Sequence, residues 1–512
     1  MDNHLTRRDF LKLAALLPVS LYLPKITSSI NGEKPNVLVI IFDSWSASNT
    51  SLYGYPRKTT PNIDKLAKNA IVYHNHYASG HYTYPSTASF LTGVLPWEHK
   101  GYWSNPYENI QEPYYQKNIF HYLPEYYRSA CTHNSLANGL LVNMAAGIDK
   151  LLPKYNLSII PNKWYDRLFS HDEDISILSW IRNLENLEEG FANSVFLSRF
   201  YRQFREISLA KYREQFPRGI PAFSLKDNFV LETAIDWVAE NLQESATPFF
   251  SYIHLLPPHS PYRTRREFVD QFKSDGFIPI KKPHHLLGQK PITYQEQVGS
   301  RRMYDEYLLY ADSEFQRLME NLAQKGGLEN TIVILTSDHG EMFERGIPEH
   351  GTPSFHNPLV HVPLLIFPPG QQERIDIHAL TTTVDLLPTI LHLTGNPTPA
   401  GLEGELIPPF QTENRSERAI ITADFRLSPK SGPLSDGTIM IRAYDYKFTY
   451  FFGTKNKYSK LPDSFGFELF DLANDREEME NLFDPSDSLS QTFLQMMEDK
   501  LLEKNLELVR YN

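Results

Sequence analysis

Two stretches of this chain are apolar for the length of a strand and then end on an acid. PNVLVIIFDS, Pro35 to Ser44, closes on Asp43. NTIVILTSDHGE, Asn330 to Glu341, closes on Asp338, His339 and Gly340. A strand with one face in water alternates polar and apolar residues, whereas an unbroken apolar run needs cover on both faces, as in a parallel sheet between helices. PFFSYIHLLPPHSPY (Pro248 to Tyr262) and HVPLLIFPPG (His361 to Gly370) are two more such runs, the first breaking into a loop rich in Pro and His. Helical patterns lie around them: TPNIDKLAKNA from Thr60, an amphipathic stretch from Tyr304 to Lys325, and TTTVDLLPTILHLTG. Strands alternating with helices predict an α/β fold, a mostly parallel central sheet wrapped by helices on both faces. Residues 150–245 have helical spacing and read as an inserted helical subdomain within a catalytic unit of 34–400. From 401 to 512 the texture changes to shorter strands and turns, with a final helix from about 487.

The 512 residues suffice for one large α/β unit with additions, and 41% hydrophobic residues supply its core. A formal net charge of −11 argues against nucleic acid as a partner, which calls for a basic face. One cysteine, Cys131, excludes an internal disulfide framework and a cysteine metal cage. At the N-terminus Arg7 and Arg8 precede an apolar run from Leu13 to Leu23 and a small-residue exit at Thr27, Ser28 and Ser29. The run is too short to span a bilayer, and the order resembles a twin-arginine export signal over residues 1–30. Export to the periplasm or beyond is therefore expected. A retained leader would hold the protein at the membrane.

In such sheets ligands bind beyond the carboxyl ends of the strands, so Asp43, Asp338 and His339 are expected to meet there. Two carboxylates, an imidazole and a hydroxyl suit a divalent cation. The hydroxyl comes from HYTYPSTASFLTG, residues 81 to 93, where Thr83 precedes Pro85 and an apolar helical run. Thr83 reads both as the cap of that helix and as a nucleophile, because a helix N-terminus also attracts phosphate-like anions.

At this point the chain resembles the sulfatase family of the alkaline phosphatase superfamily. The landmarks are PNVLVIIFDS, YGYPRKTTPNIDKLA, the T-x-P-S-x-x-S-F-L-T-G stretch, PHSPY, TIVILTSDHGE, PEHG, HVPLLIF, VDLLPTIL and ELFDLANDREEMENL, in family order over residues 34 to 485. The resemblance implies an alkaline phosphatase-like α/β domain and a smaller C-terminal α+β domain with an antiparallel sheet. It places Asp43, Asp338 and His339 on the family's metal ligands, with Thr83 as nucleophile and fourth ligand. It also places His259 on the histidine that contacts the substrate oxyanion, and His350 on a second active-site histidine, either a proton donor or a hydrogen-bond donor. His254 and His99 lie in family motifs without an assigned role.

The chain departs from the family at four places. The typical motif is C-x-P-S-R, whose Cys or Ser becomes formylglycine; here Thr83 and Thr87 replace the Cys and the Arg. Threonine cannot yield that aldehyde, since its methyl group would leave a ketone, so no formylglycine is expected. Ser44 stands where a second metal-binding acid often follows the first, and CTHN, Cys131 to Asn134, replaces a G-K-x-H stretch. The implied function is metal-dependent hydrolysis of sulfuric or phosphoric esters, one Ca, Mn or Zn ion activating Thr83 for a covalent intermediate. Phosphoesters are preferred because a threonine ester lacks the hemiacetal exit used for sulfate. The substrate is a small-molecule, glycan or lipid ester. A phosphoryl transferase acting on envelope lipid or glycan, and a catalytically silent exported binder of anionic glycans, are the alternatives.

Overall fold

The computed structural model describes residues 33–102, 110–159, 203–411, 418–453 and 466–508, apart from 205, 223–227, 286, 289–292, 348, 353 and 427. The export segment lies outside the described residues, as does most of the helical insertion. Of that insertion's later part, the helix Leu231–Glu244 is described.

Eight strands form the main sheet: β1 Asn36–Phe42, β2 Ile71–Tyr77, β3 Tyr127–Thr132, β4 Lys150–Leu151, β5 Phe249–Leu255, β6 Thr331–Thr336, β7 Leu364–Phe367 and β8 Ile375–Thr382. Their spatial order is β4-β3-β5-β1-β6-β7-β2-β8. All neighbours are parallel except β7, which runs antiparallel to both β6 and β2. β1 explains the unbroken apolar run. Leu38, Ile40 and Phe42 pack into one core with Leu308, Phe315 and Leu318 of the long helix Tyr294–Gln324. Val37, Val39 and Ile41 pack into a second core with Phe90, Leu387 and Ile390 on the opposite face. Each fully buried side chain of this size contributes about 1.5–3 kcal/mol, so covering both faces is what selects such a sequence for the centre of the sheet.

The boundaries differ from the sequence expectation in three places. The long helix starts ten residues earlier than Tyr304, at a capping box formed by Thr293 and Glu296. TTTVDLLPTILHLTG is helical only from Leu386 to Leu393; Thr381 and Thr382 end β8, and a 3₁₀ turn follows. β2 and β8 themselves carry polar residues and lack an apolar run. In the C-terminal region β9 Ile420–Asp424, β10 Gly437–Ala443, β11 Tyr446–Phe452 and β12 Phe467–Asp471 form a separate antiparallel sheet. The final helix, Ser488–Glu503, is capped by the Asp487 carboxylate. Among the described residues no helix is long and apolar enough to cross a membrane.

Candidate active site

Register assembles the site. β1 lies between β5 and β6, all parallel, with Ile41 opposite both His254 and Thr336. The residues just past that level therefore emerge together at one sheet edge: Asp43, His254, Asp338 and His339. One oxygen from each Asp and one nitrogen of His339 lie within 4.8 Å of one another, all three residues buried. His339 Nε2 is 3.5 Å from both Asp43 Oδ1 and Asp338 Oδ2. His254 Nε2 lies 3.5 Å from Asp43 Oδ2 and 3.6 Å from Asp338 Oδ2. Gly340 makes the turn feasible. A Cβ there would sit 2.0 Å from the Pro358 carbonyl oxygen, whereas its own N–H donates to Leu359 O at 2.7 Å.

Thr83 opens the helix Thr83–Thr92, whose N-terminus faces this cluster. The capping expectation is corrected here. Tyr82 holds the N-cap position, and no side-chain cap bond forms. The Thr83 hydroxyl turns inward instead: Oγ1 lies 3.4 Å from His339 Nε2 and accepts from Asn134 Nδ2 at 3.2 Å. Asn134 is itself oriented by a helix. Its Oδ1 accepts the Leu136 and Ala137 N–H groups at the start of Ser135–Asn143, which turns Nδ2 toward Thr83 and the Asp43 carboxylate. Sequence reasoning reached Asn134 only as the last residue of CTHN, a pocket-lining position at the family's G-K-x-H stretch, and named no partner for it. Ser44, in place of a second acid, holds a left-handed turn (φ 64°) and donates from Oγ to Asp43 Oδ1 at 2.9 Å. Thr87 is buried one turn into the Thr83 helix.

His259 and His350 complete the wall. Their ring centroids are 4.8 Å apart, and His350 is 4.5 Å from the His339 ring. His259 Nδ1 donates to Ser260 O at 2.6 Å. His350 Nδ1 shares a hydrogen bond with buried Glu341 Oε1 at 3.0 Å, and burial raises the pKa of that Glu341 carboxyl. Burial lowers the His350 pKa to about 3, with the charge of His259 adding to it. Burial also opposes the charged form of His259, but Asp43 and Glu341 outweigh it and raise its pKa. For Asp43 burial is again the largest effect and pushes upward, yet His259, His254 and His339 together hold its pKa low. Asp338 is raised by burial and by the Asp43 charge. Thr83, Asn134, His259 and His350 line one cavity of about 620 Å³.

The donor set fits a cation. Asp338 Oδ1 accepts the Ser44 and His339 N–H groups at 3.1 and 2.9 Å, but its buried Oδ2 has no hydrogen-bond partner. An orphaned carboxylate oxygen beside a second carboxylate is costly unless a positive charge sits between them. His285, His356 and Glu468 are similarly close together. There Leu287 N–H donates to His285 Nδ1, so His285 Nε2 carries the proton and donates to Glu468. His99 is structural, bonded to Ser89 Oγ and to the Gly101 N–H. Sequence reasoning named His254 without a role and missed Glu341 and, from the C-terminal region, Arg426. Its guanidinium bonds His81 Nε2 (2.8 Å) and Gly351 O (3.1 Å) and stacks 4.2 Å over the Tyr82 ring, joining the segments that carry Thr83 and His350.

Comparison with known proteins agrees with this architecture. The sulfatase family model matches residues 35–396, and a model described as N-sulphoglucosamine sulphohydrolase, C-terminal, matches 352–507. Arylsulfatase K of Bos taurus is 28% identical over 285 residues, 49% of this chain and 50% of that one, so the match spans about half of that relative. Choline-sulfatase of Rhizobium meliloti is 25% identical over 474 residues, 88% of this chain and 82% of that one. Among solved structures, the phosphonate monoester hydrolase of Agrobacterium radiobacter superposes with a TM-score of 0.65 at 18% identity, over 92% of this chain and 95% of that one. With its fold and site residues in family order, and with the family model covering well over half its length, this chain belongs to the sulfatase family of hydrolases.

Proposed function

We propose that this protein is a phosphoesterase built on the sulfatase fold, with Thr83 as nucleophile and phosphodiesters or phosphonate monoesters preferred over sulfate esters. The observation that carries the reading is the Thr83 hydroxyl, turned away from capping and held by Asn134 beside His339. Asp43, Asp338, His339 and Thr83 would hold one divalent cation of the Ca, Mn or Zn class, which lowers the pKa of the hydroxyl and offsets charge on the transferred group. Thr83 Oγ, its proton released to solvent, forms a bond to phosphorus as the bond to the leaving oxygen breaks. His259, with its raised pKa and its place on the cavity wall, gives that oxygen a proton. Water then displaces Thr83 from phosphorus, losing a proton to the His259 imidazole that the first step left neutral, while His350, bonded to Glu341, holds its place on the cavity wall.

Two features favour a phosphodiester or phosphonate monoester. The family's Arg and Lys positions are neutral here, Thr87 and Thr132, leaving fewer cations than a phosphate monoester dianion demands. A threonine ester also has no hemiacetal exit for sulfate. The similar phosphonate monoester hydrolase fold supports the same direction. The test is a parallel assay of residues 34–512 on aryl sulfate, phosphate monoester, phosphodiester and phosphonate monoester, with Mn²⁺, Ca²⁺ or Zn²⁺ and a Thr83→Ala control. Diester or phosphonate turnover that falls by at least 10³-fold in the control is the expected result. Thr83-dependent sulfate turnover would overturn the phosphoester preference. No turnover, in protein that binds no cation, would favour a binding role. The protein is further proposed to leave the cytoplasm through its twin-arginine-type leader; full export of an Arg7→Lys, Arg8→Lys variant would refute this.

A further inference from the structure

The wall of the cavity that holds Thr83 carries a cation that the chemistry above does not use. Arg263, in the loop after β5, lines the cavity together with Asn228, Ser135 and Ser260. One guanidinium nitrogen, Nη1, donates to Ile220 O at 2.9 Å. The group also lies against Gly219, a left-handed residue (φ 99°) at which a Cβ would come 3.3 Å from Arg263 Nε. The guanidinium is thus seated on backbone, with no other hydrogen bond among the described residues. Among the described residues no Asp or Glu lines this cavity, and none forms an ion pair with Arg263. Arg57, Arg301 and Arg418 each pair with a carboxylate, whereas Arg263, like buried Arg345 and Arg442, sits on backbone carbonyl oxygen, and of these three Arg263 is the one that lines this cavity.

We propose that Arg263 is the anchor of a second anionic subsite, so that the natural substrate is an ester whose alcohol part carries its own carboxylate, sulfate or phosphate. The proposal rests on the Thr83 site as read above and names the substrate class for it. A guanidinium presents parallel N–H donors that match a planar or tetrahedral oxyanion, and in a half-enclosed cavity such charge-assisted bonds are strong. A cavity of about 620 Å³ accommodates a sugar-sized acid with its reacting ester at Thr83 and its second anion at Arg263. The transferred group and the recognised group are then separate. That division accounts for a fixed cation on the cavity wall that is separate from the Thr83 cluster's own residues.

The test compares phenyl esters with their 2-, 3- and 4-carboxyphenyl analogues, using whichever ester class the enzyme turns over, in the intact enzyme and in Arg263→Gln and Arg263→Lys. The best carboxylated isomer is expected to exceed the neutral ester in kcat/KM by about 10- to 100-fold, mostly through KM. That ratio should fall toward one in Arg263→Gln and recover in part in Arg263→Lys. A ratio near one in the intact enzyme, or an equal loss on both esters in Arg263→Gln, would overturn the proposal. Direct binding of the three hydroxybenzoates against phenol separates this from failure of the phosphoesterase reading. If no ester is turned over but a hydroxybenzoate binds in an Arg263-dependent way, the subsite stands and the reaction assignment falls. If none binds better than phenol, the subsite falls.

Discussion

Replacing Asp338 with Asn should make the metal-free protein more stable and at the same time remove its response to metal. Asp43 and Asp338 are both buried, with ligand oxygens within 4.8 Å of each other. At an effective dielectric of about 20, two such charges repel by ~3 kcal/mol at that distance. Without a cation this is taken either as repulsion or as proton uptake on Asp338, whose pKa is raised by burial first and by Asp43 second. Asparagine keeps an oxygen for the Ser44 and His339 N–H groups and places an amide near Asp43, where Asp338 Oδ2 has no partner. An unfolding entropy of about 2.1 cal/mol/K per residue over 512 residues gives ~1 kcal/mol/K, so the chelated variant should melt about 3 °C above the chelated wild type. Adding Mn²⁺, Ca²⁺ or Zn²⁺ reverses the order. At about 1,000 times Kd a cation stabilises the wild type by ~4 kcal/mol, or about 4 °C, and the variant by much less. Thermal melts with chelator and with each cation decide it. If the chelated variant melts at or below wild type, or if a cation raises both equally, the two carboxylates are not the cation's main holders and the argument fails.

A pH effect is expected far from the cavity. Asp312, on the long helix, accepts the Asn62 and Ile63 N–H groups at 3.0 and 2.8 Å, and burial raises its pKa from 3.8 to about 7. A carboxyl whose folded pKa is raised favours the protonated native state, so its contribution is full below about 3.8 and is lost as pH rises through about 7. About three pKa steps correspond to ~4 kcal/mol across that window. Asp312→Asn should therefore flatten the dependence of Tm on pH between about 4 and 7, and an unchanged slope would refute this reading.

The apolar runs made the centre of the fold legible. PNVLVIIFDS and NTIVILTSDHGE are buried on both faces as adjacent parallel strands, since only such strands lose water on two sides along their whole length. β2, read as IVYHNHY, and β8, read as IDIHALTT, carry polar residues and escaped notice, because edge and near-edge strands keep part of their surface in water. HVPLLIF announced a strand, but its antiparallel direction depends on which neighbours it joins, and no local pattern encodes that.

The site divides in the same way. The sequence alone determined that acids and a histidine terminate central strands and that a hydroxyl precedes a helix, because those are properties of neighbours in the chain. Only the tertiary structure decided that the Thr83 hydroxyl faces His339 and not its own helix, that Asn134 spends its oxygen on one helix and its amide on Asp43, and that His254 closes the cluster from β5. It alone set Arg263 on the wall of the cavity that Thr83 lines, with no carboxylate partner among the described residues. Those assignments depend on strand register and on the partner left to each polar atom once the sheet has closed, and both are set by residues hundreds of positions apart.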